Sequence, residues 1–154
     1  MTLDRADTLL AATAAISVAA VGGALVSQHV YDIMPCPWCV LQRLIFLLIA
    51  LSAVLGLAAQ RLGAALALAL AGCGIVTALW QHFVAAASAS CNLTFADRLM
   101  SATTLDRLLP EVFAAYASCA DAKVSILGLP YEFFSLGLFV LMAAAMIVVL
   151  RRGR

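Results

Sequence analysis

From Thr8 to Tyr31 the chain carries no Asp, Glu, Lys or Arg, and such a run has few ways to fold. Residues 9–27, wound as a helix at 1.5 Å per residue, reach across a hydrocarbon layer about 30 Å thick. Three further apolar runs follow at 40–59, 62–84 and 133–150, with Arg43 the one charged residue in the first of these. Apolar residues make up 66% of the 154, against roughly 45–50% in a soluble domain, and mean hydropathy is +1.09. The fold class this implies is all-α: a single integral membrane domain over residues 1–154, built as an antiparallel four-helix bundle. A cleaved signal peptide competes for the first run, but Asp4, Arg5 and Asp7 ahead of it are not the basic stretch such peptides carry. A net charge of +1 gives no electrostatic case for nucleic acid.

Four spans put both termini on one side, and short cytoplasmic connections collect Lys and Arg. The termini and the link at Gln60 and Arg61 hold Arg5, Arg61, Arg151, Arg152 and Arg154 against Asp4 and Asp7. On the opposite side, Arg43 near the start of the second span joins Arg98, Arg107 and Lys123 of the loops 28–39 and 85–132, against Asp32, Asp97, Asp106, Glu111, Asp121 and Glu132. The termini are therefore expected in the cytoplasm, with Trp38, Tyr31 and Tyr131 forming an aromatic belt at the outer interface. Within the long loop, Leu105, Leu108, Leu109, Val112, Phe113 and Tyr116 recur at helical spacing behind Thr103 or Thr104 as a cap. Val124, Ile126, Leu127 and Leu129 form a stretch too short to span, expected to lie on the membrane surface. Residues 64–71, rich in Ala, suit close helix packing.

Four of the five cysteines fall in the two outer loops: Cys36 and Cys39 in the first, Cys91 and Cys119 in the second. Pro37 fits the first turn of a helix, which puts Cys36 near its N-cap and Cys39 inside its first turn. A helix N-terminus favours thiolate, the form that attacks disulfides. Arg43, four residues on, shares the face of Cys39, where a guanidinium can hydrogen-bond a carbonyl oxygen and stabilise negative charge growing on it. The competing readings of the CxxC are a structural disulfide or part of a zinc site, since zinc takes four such ligands. Cys91 and Cys119 read either as a loop staple or as a second redox pair, and four cysteines allow three pairings. With all four on one aqueous side, thiol–disulfide exchange between pairs becomes feasible. Cys73, between Gly72 and Gly74 in the third span, reads as a small buried packing residue, and His82 as an interfacial residue rather than a ligand.

The residues also resemble a family. Pro35-Cys36-Pro37-Trp38-Cys39 followed by Gln42-Arg43, then Cys91, then Pro110-Glu111-Val112-Phe113 ahead of Cys119-Ala120, then Leu127-Gly128-Leu129, set among four spans, resemble the DsbB family of bacterial inner-membrane thiol oxidases. The resemblance implies that Cys91 and Cys119 form the disulfide that oxidises a soluble periplasmic thioredoxin-fold partner similar to DsbA, with Cys91 taking the mixed disulfide. Electrons would pass to Cys36 and Cys39, with Cys39 facing a bound quinone, ubiquinone or menaquinone, and Arg43 at its carbonyl oxygen. Two departures stand out. Val124 occupies the place where the family often has Trp, and the histidine or acidic residue reported near the quinone has no secure counterpart, Thr77 matching better than His82. Rivals are a quinone or epoxide reductase of the vitamin K type, which places its CxxC late in the bundle, and a non-catalytic module binding metal through the four cysteines.

Overall fold

The computed structural model describes residues 4–87, 94–122, 124–126 and 128–152. Four helices are long and apolar enough to cross a membrane. They are α1 (Arg5–Tyr31), α2 (Pro37–Gly56), α3 (Gln60–Phe83) and, after three short helices and a hairpin, α7 (Tyr131–Arg152). Side-chain chemistry sets the ends of α1 and the start of α2. Asp4 caps α1 by accepting from the Arg5 N–H at 2.7 Å, and Asp32 ends it in the left-handed region at φ 53. Pro37 opens α2 with Cys36 as its N-cap, as the spacing predicts.

The helices pack in a ring: α1 against α2, α2 against α3, α3 against α7, and α7 back against α1. The centre is filled by Leu10, Val40, Ile49, Phe139 and Met146, all fully buried. Phe46 and Phe139 stack with ring centroids 4.2 Å apart. Gly74 lies directly beneath that pair, so a Cβ there would stand 2.5 Å from the Phe139 ring. A Cβ on Gly56 would meet the Leu10 side chain at 2.9 Å, and Gly63 lies so close to the Gly56 backbone and the Ser52 carbonyl that it has no room for a side chain. That approach places the turn at 57–59, ahead of Gln60 and Arg61, which open α3 instead of forming the link expected of them. Gln60 is committed elsewhere, donating to Asp7 at 2.6 Å.

Cys73 corrects an expectation. It is exposed on the outer surface of the bundle, because Gly74 takes the inward position against Phe139 and the neighbouring residue is turned about 100° away along the helix. Trp38, in the first turn of α2, is buried, packed between Trp80 at 6.3 Å and Phe95 at 6.5 Å.

The long loop is more broken than its periodicity suggests. A helix α4 (Phe95–Thr103) precedes the expected one, started by a capping box in which Thr94 and Asp97 satisfy each other's N–H groups. Then come two single turns, α5 (Leu105–Leu108) and α6 (Pro110–Phe113). Thr104 does precede α5, but without a side-chain cap. Pro110 divides the predicted single helix, because it pushes Leu109 out of helical geometry (φ −135, ψ 66), and Tyr116 lies beyond the end. The apolar stretch ahead of α7 is a small hairpin. In it β1 (Ser125–Ile126) pairs with β2 (Leu129–Pro130), and Gly128 turns at φ +81.

Candidate active site

The first turn of α2 sets the geometry. Cys36, as N-cap, accepts the Cys39 N–H at 3.3 Å, and the two sulfurs lie 2.8 Å apart as free thiols. Cys36 is fully buried, whereas Cys39 lines a cavity of about 680 Å³. One thiol of the pair thus looks inward to the loop and the other to the cavity.

Cys119 completes the inner side. The chain leading to it is held by Pro35, whose carbonyl accepts from the N–H groups of Tyr116 at 3.0 Å and Ala117 at 3.3 Å. This packs Cys119 beside Cys36. That contact first, then the one with Cys39, then burial, pushes the Cys36 thiol well above its ordinary pKa. The sign is simple: a raised thiol pKa keeps Cys36 protonated at neutral pH, so it donates to its neighbours and is a poor nucleophile. In the fully reduced protein, alkylation of Cys36 at neutral pH should run at least about ten-fold slower than that of an unhindered cysteine and accelerate only as pH rises. Peptide-resolved mass spectrometry checks this, and alkylation at the free-cysteine rate would contradict it. Cys91 lies outside the described residues.

Behind the dithiol is a set of buried polar side chains that an apolar bundle holds only when they are mutually satisfied. Gln42 donates to Gln81 at 2.7 Å, and Gln81 donates to the Cys39 sulfur at 3.3 Å. Arg43 is buried and donates to Gln28 Oε1 at 2.7 Å, to the Val112 carbonyl at 3.0 Å and to the Ala24 carbonyl at 3.3 Å. Gln28 in turn donates to the Glu111 carbonyl at 3.4 Å. Arg43 therefore ties α1 and α6 to the cavity, a role its position in the sequence does not announce. A guanidinium has five N–H donors, so these three bonds leave others for the cavity.

The cavity lies between α1 and α7, with α2 and α3 contributing its polar end. Small and apolar residues form its walls, Gly23 and Ala24 on one side and Phe134 and Leu138 on the other. Cys39, Gln42, Arg43, Gln81 and Glu132 converge at one end. Its volume sits in the range of about 300–1,000 Å³ typical of small-molecule sites, and apolar walls with a few placed polar groups are the usual pattern.

A model of the family described as Disulfide bond formation protein DsbB matches residues 6–149. The chain belongs to the DsbB family. Similar DsbB relatives include Disulfide bond formation protein B of Ralstonia nicotianae, 32% identical over 150 residues that cover 92% of each chain. The B 1 protein of Pseudomonas syringae pv. syringae is 31% identical, covering 99% of this chain and 94% of its own. The protein of Burkholderia pseudomallei strain 1106a is 32% identical, covering 100% and 95%. Membership in DsbB makes this a multi-pass membrane protein of disulfide-bond formation, with an oxidoreductase role.

Of the residues singled out in the sequence, Cys36, Cys39, Cys119 and Arg43 come together at one end of the bundle. Gln28, Gln81 and Glu132 were not singled out. The signal that points to them is a lone polar residue near the end of an otherwise apolar run, which in a membrane helix marks an inward face. His82 also proves to have a specific partner, its Nδ1 standing 2.7 Å from Glu132 Oε1.

Proposed function

We propose that this DsbB family member reoxidises a soluble thioredoxin-fold dithiol oxidase similar to DsbA and passes the electrons to a membrane quinone, ubiquinone or menaquinone. In this reading the protein sits in a bacterial inner membrane with both termini in the cytoplasm and the cysteine loops in the periplasm. The observation that carries the reading is the opening of the CxxC at Cys39 onto a cavity whose polar end holds Arg43.

The residues suggest an order of events. The partner's thiolate attacks the Cys91–Cys119 disulfide, forming a mixed disulfide at Cys91 and releasing Cys119. The Cys119 sulfur, already against Cys36, attacks it, so that the Cys36–Cys39 bond breaks, a Cys36–Cys119 bond forms and Cys39 leaves as thiolate. The partner's second thiol then resolves the mixed disulfide, and the Cys91 thiolate so released attacks Cys119. The Cys91–Cys119 bond is thereby restored, leaving Cys36 and Cys39 reduced. Gln81 steadies the Cys39 sulfur with its amide N–H, and the Arg43 guanidinium provides a fixed positive charge beside it. The apolar walls from α1 and α7 keep water from the reacting sulfur.

The lining fits a quinone: Arg43 and Gln42 offer donors for carbonyl oxygens, and Gly23, Ala24, Phe134 and Leu138 offer an apolar bed. Bound there, a quinone is a two-electron, two-proton acceptor. Protein extracted in mild detergent should carry a prenylated quinone in about one-to-one amount, identified by mass. It should also reduce an added short-chain ubiquinone when supplied with reduced partner. Extracts free of quinone and unable to reduce the analogue would overturn the proposal.

A further inference from the structure

We propose that Glu132 delivers protons into the cavity and that His82 reloads it from the outer end of α3. This deepens the quinone reading above and rests on it.

Glu132 is the second residue of α7 and is 9% exposed. Among the described residues lining the cavity it carries the only carboxyl. A carboxyl in such surroundings is costly unless it is partnered, and the partner is His82, at 2.7 Å from Nδ1 to Oε1. His82 belongs to the last turn of α3, its ring held edge-on by Phe83 at 4.8 Å and Phe133 at 4.7 Å. Its side chain is 30% exposed against 10% for that of Glu132. The two groups thus form a step from the outside of the bundle to the cavity, on the same end as the dithiol.

The chemistry asks for such a step. Oxidising the Cys36–Cys39 dithiol breaks two S–H bonds and forms one S–S bond. Two electrons pass to the quinone, and two O–H bonds form on its oxygens. The amides of Gln42 and Gln81 do not ionise, and a guanidinium does not give up its proton in a protein; of the ionisable groups lining the cavity, Glu132 is the one bonded to His82, a second titratable group that can reload it. Cys36 does not line the cavity. The charged and titratable groups facing Glu132 are Cys39 and Arg43 on α2, Tyr131 on α7, Tyr31 on α1 and His82 on α3, and the Tyr131 hydroxyl is engaged by Ser27 at 3.2 Å. Glu132 gives a proton to the cavity and regains one from His82, twice for each electron pair, and the two protons lost by Cys36 and Cys39 pass to the outer water from which His82 is reloaded, so none is gained or lost overall. His82 acts through Glu132 and is a positioning and reloading residue.

The test uses the full-length protein in detergent with a short-chain ubiquinone. It compares wild type with Glu132→Gln, Glu132→Asp and His82→Gln, and measures equilibrium binding of the analogue by tryptophan quenching alongside kcat and KM. Glu132→Gln keeps a hydrogen-bonding partner for His82, so it should bind the analogue as wild type does. Its kcat should fall about a hundred-fold, the scale of a lost proton donor. Added formate should restore part of the rate in Glu132→Gln, and Glu132→Asp should retain more activity than Glu132→Gln. His82→Gln should also slow turnover without weakening binding. Wild-type turnover in Glu132→Gln overturns the proton route. So does a loss that tracks weakened binding and ignores formate. If wild type itself neither binds nor reduces the analogue, the quinone reading falls, and the proton route with it.

Discussion

Cys39→Ser is expected to lower quinone reduction driven by the reduced partner by at least about a thousand-fold, because the sulfurs act as one unit and removing either forfeits nearly the whole effect. Cys39 is the thiol of the pair that lines the cavity, and its sulfur is the one that Gln81 contacts. The exchange leaves the helix start intact, since the Cys39 N–H still reaches the Cys36 sulfur. Cys36→Ser, alone or combined with Cys39→Ser, should be no worse. Cys119→Ser should separate the halves of the reaction: oxidation of the partner fails, while a small dithiol that reaches the CxxC directly still drives quinone reduction. Following quinone absorbance with each reductant measures both. Turnover of the partner at wild-type rate in Cys39→Ser would contradict the assignment.

Arg43→Met should damage two functions at once. The guanidinium makes three hydrogen bonds, to Gln28, Val112 and Ala24, and a hydrogen bond to a charged group contributes about 1.5–3 kcal/mol. Losing the donor offered to the cavity should raise the KM for a short-chain ubiquinone roughly ten- to a hundred-fold, since each 1.4 kcal/mol is ten-fold. Losing the bond to the Val112 carbonyl should loosen α6, seen as faster amide exchange across Pro110–Phe113. Arg43→Lys should not restore either, because an ammonium lacks the planar fork that reaches three acceptors at once. Unchanged KM and unchanged exchange in Arg43→Met would contradict this role.

The spans were legible because hydrocarbon permits few alternatives to a charge-free helix, and the CxxC geometry was legible because Pro37 fixes the helix start. The charged partner of the site was legible too, since Arg43 follows Cys39 by one helical turn. The approach of Cys119 to Cys36 was not, because it depends on two backbone hydrogen bonds to Pro35 from residues far along the chain. Glu132 was counted among loop charges, although it opens α7 and is buried against His82. The long loop was misread where local rules compete. Apolar spacing favoured one helix through Tyr116, and Pro110 overruled it. Cys73 was misplaced because burial in a bilayer and burial in a protein have the same composition, and only packing around Gly74 tells them apart.

The most direct measurement is the cross-link state of the double variant Cys39→Ser with Cys91→Ser, which leaves Cys36, Cys119 and, in the third span, Cys73. After mild oxidation in native membranes and digestion under non-reducing conditions, mass spectrometry should find Cys36 joined to Cys119 in most of the protein. Both residues recovered as alkylated thiols would mean that the two cysteine segments do not meet, and electrons could not pass between them.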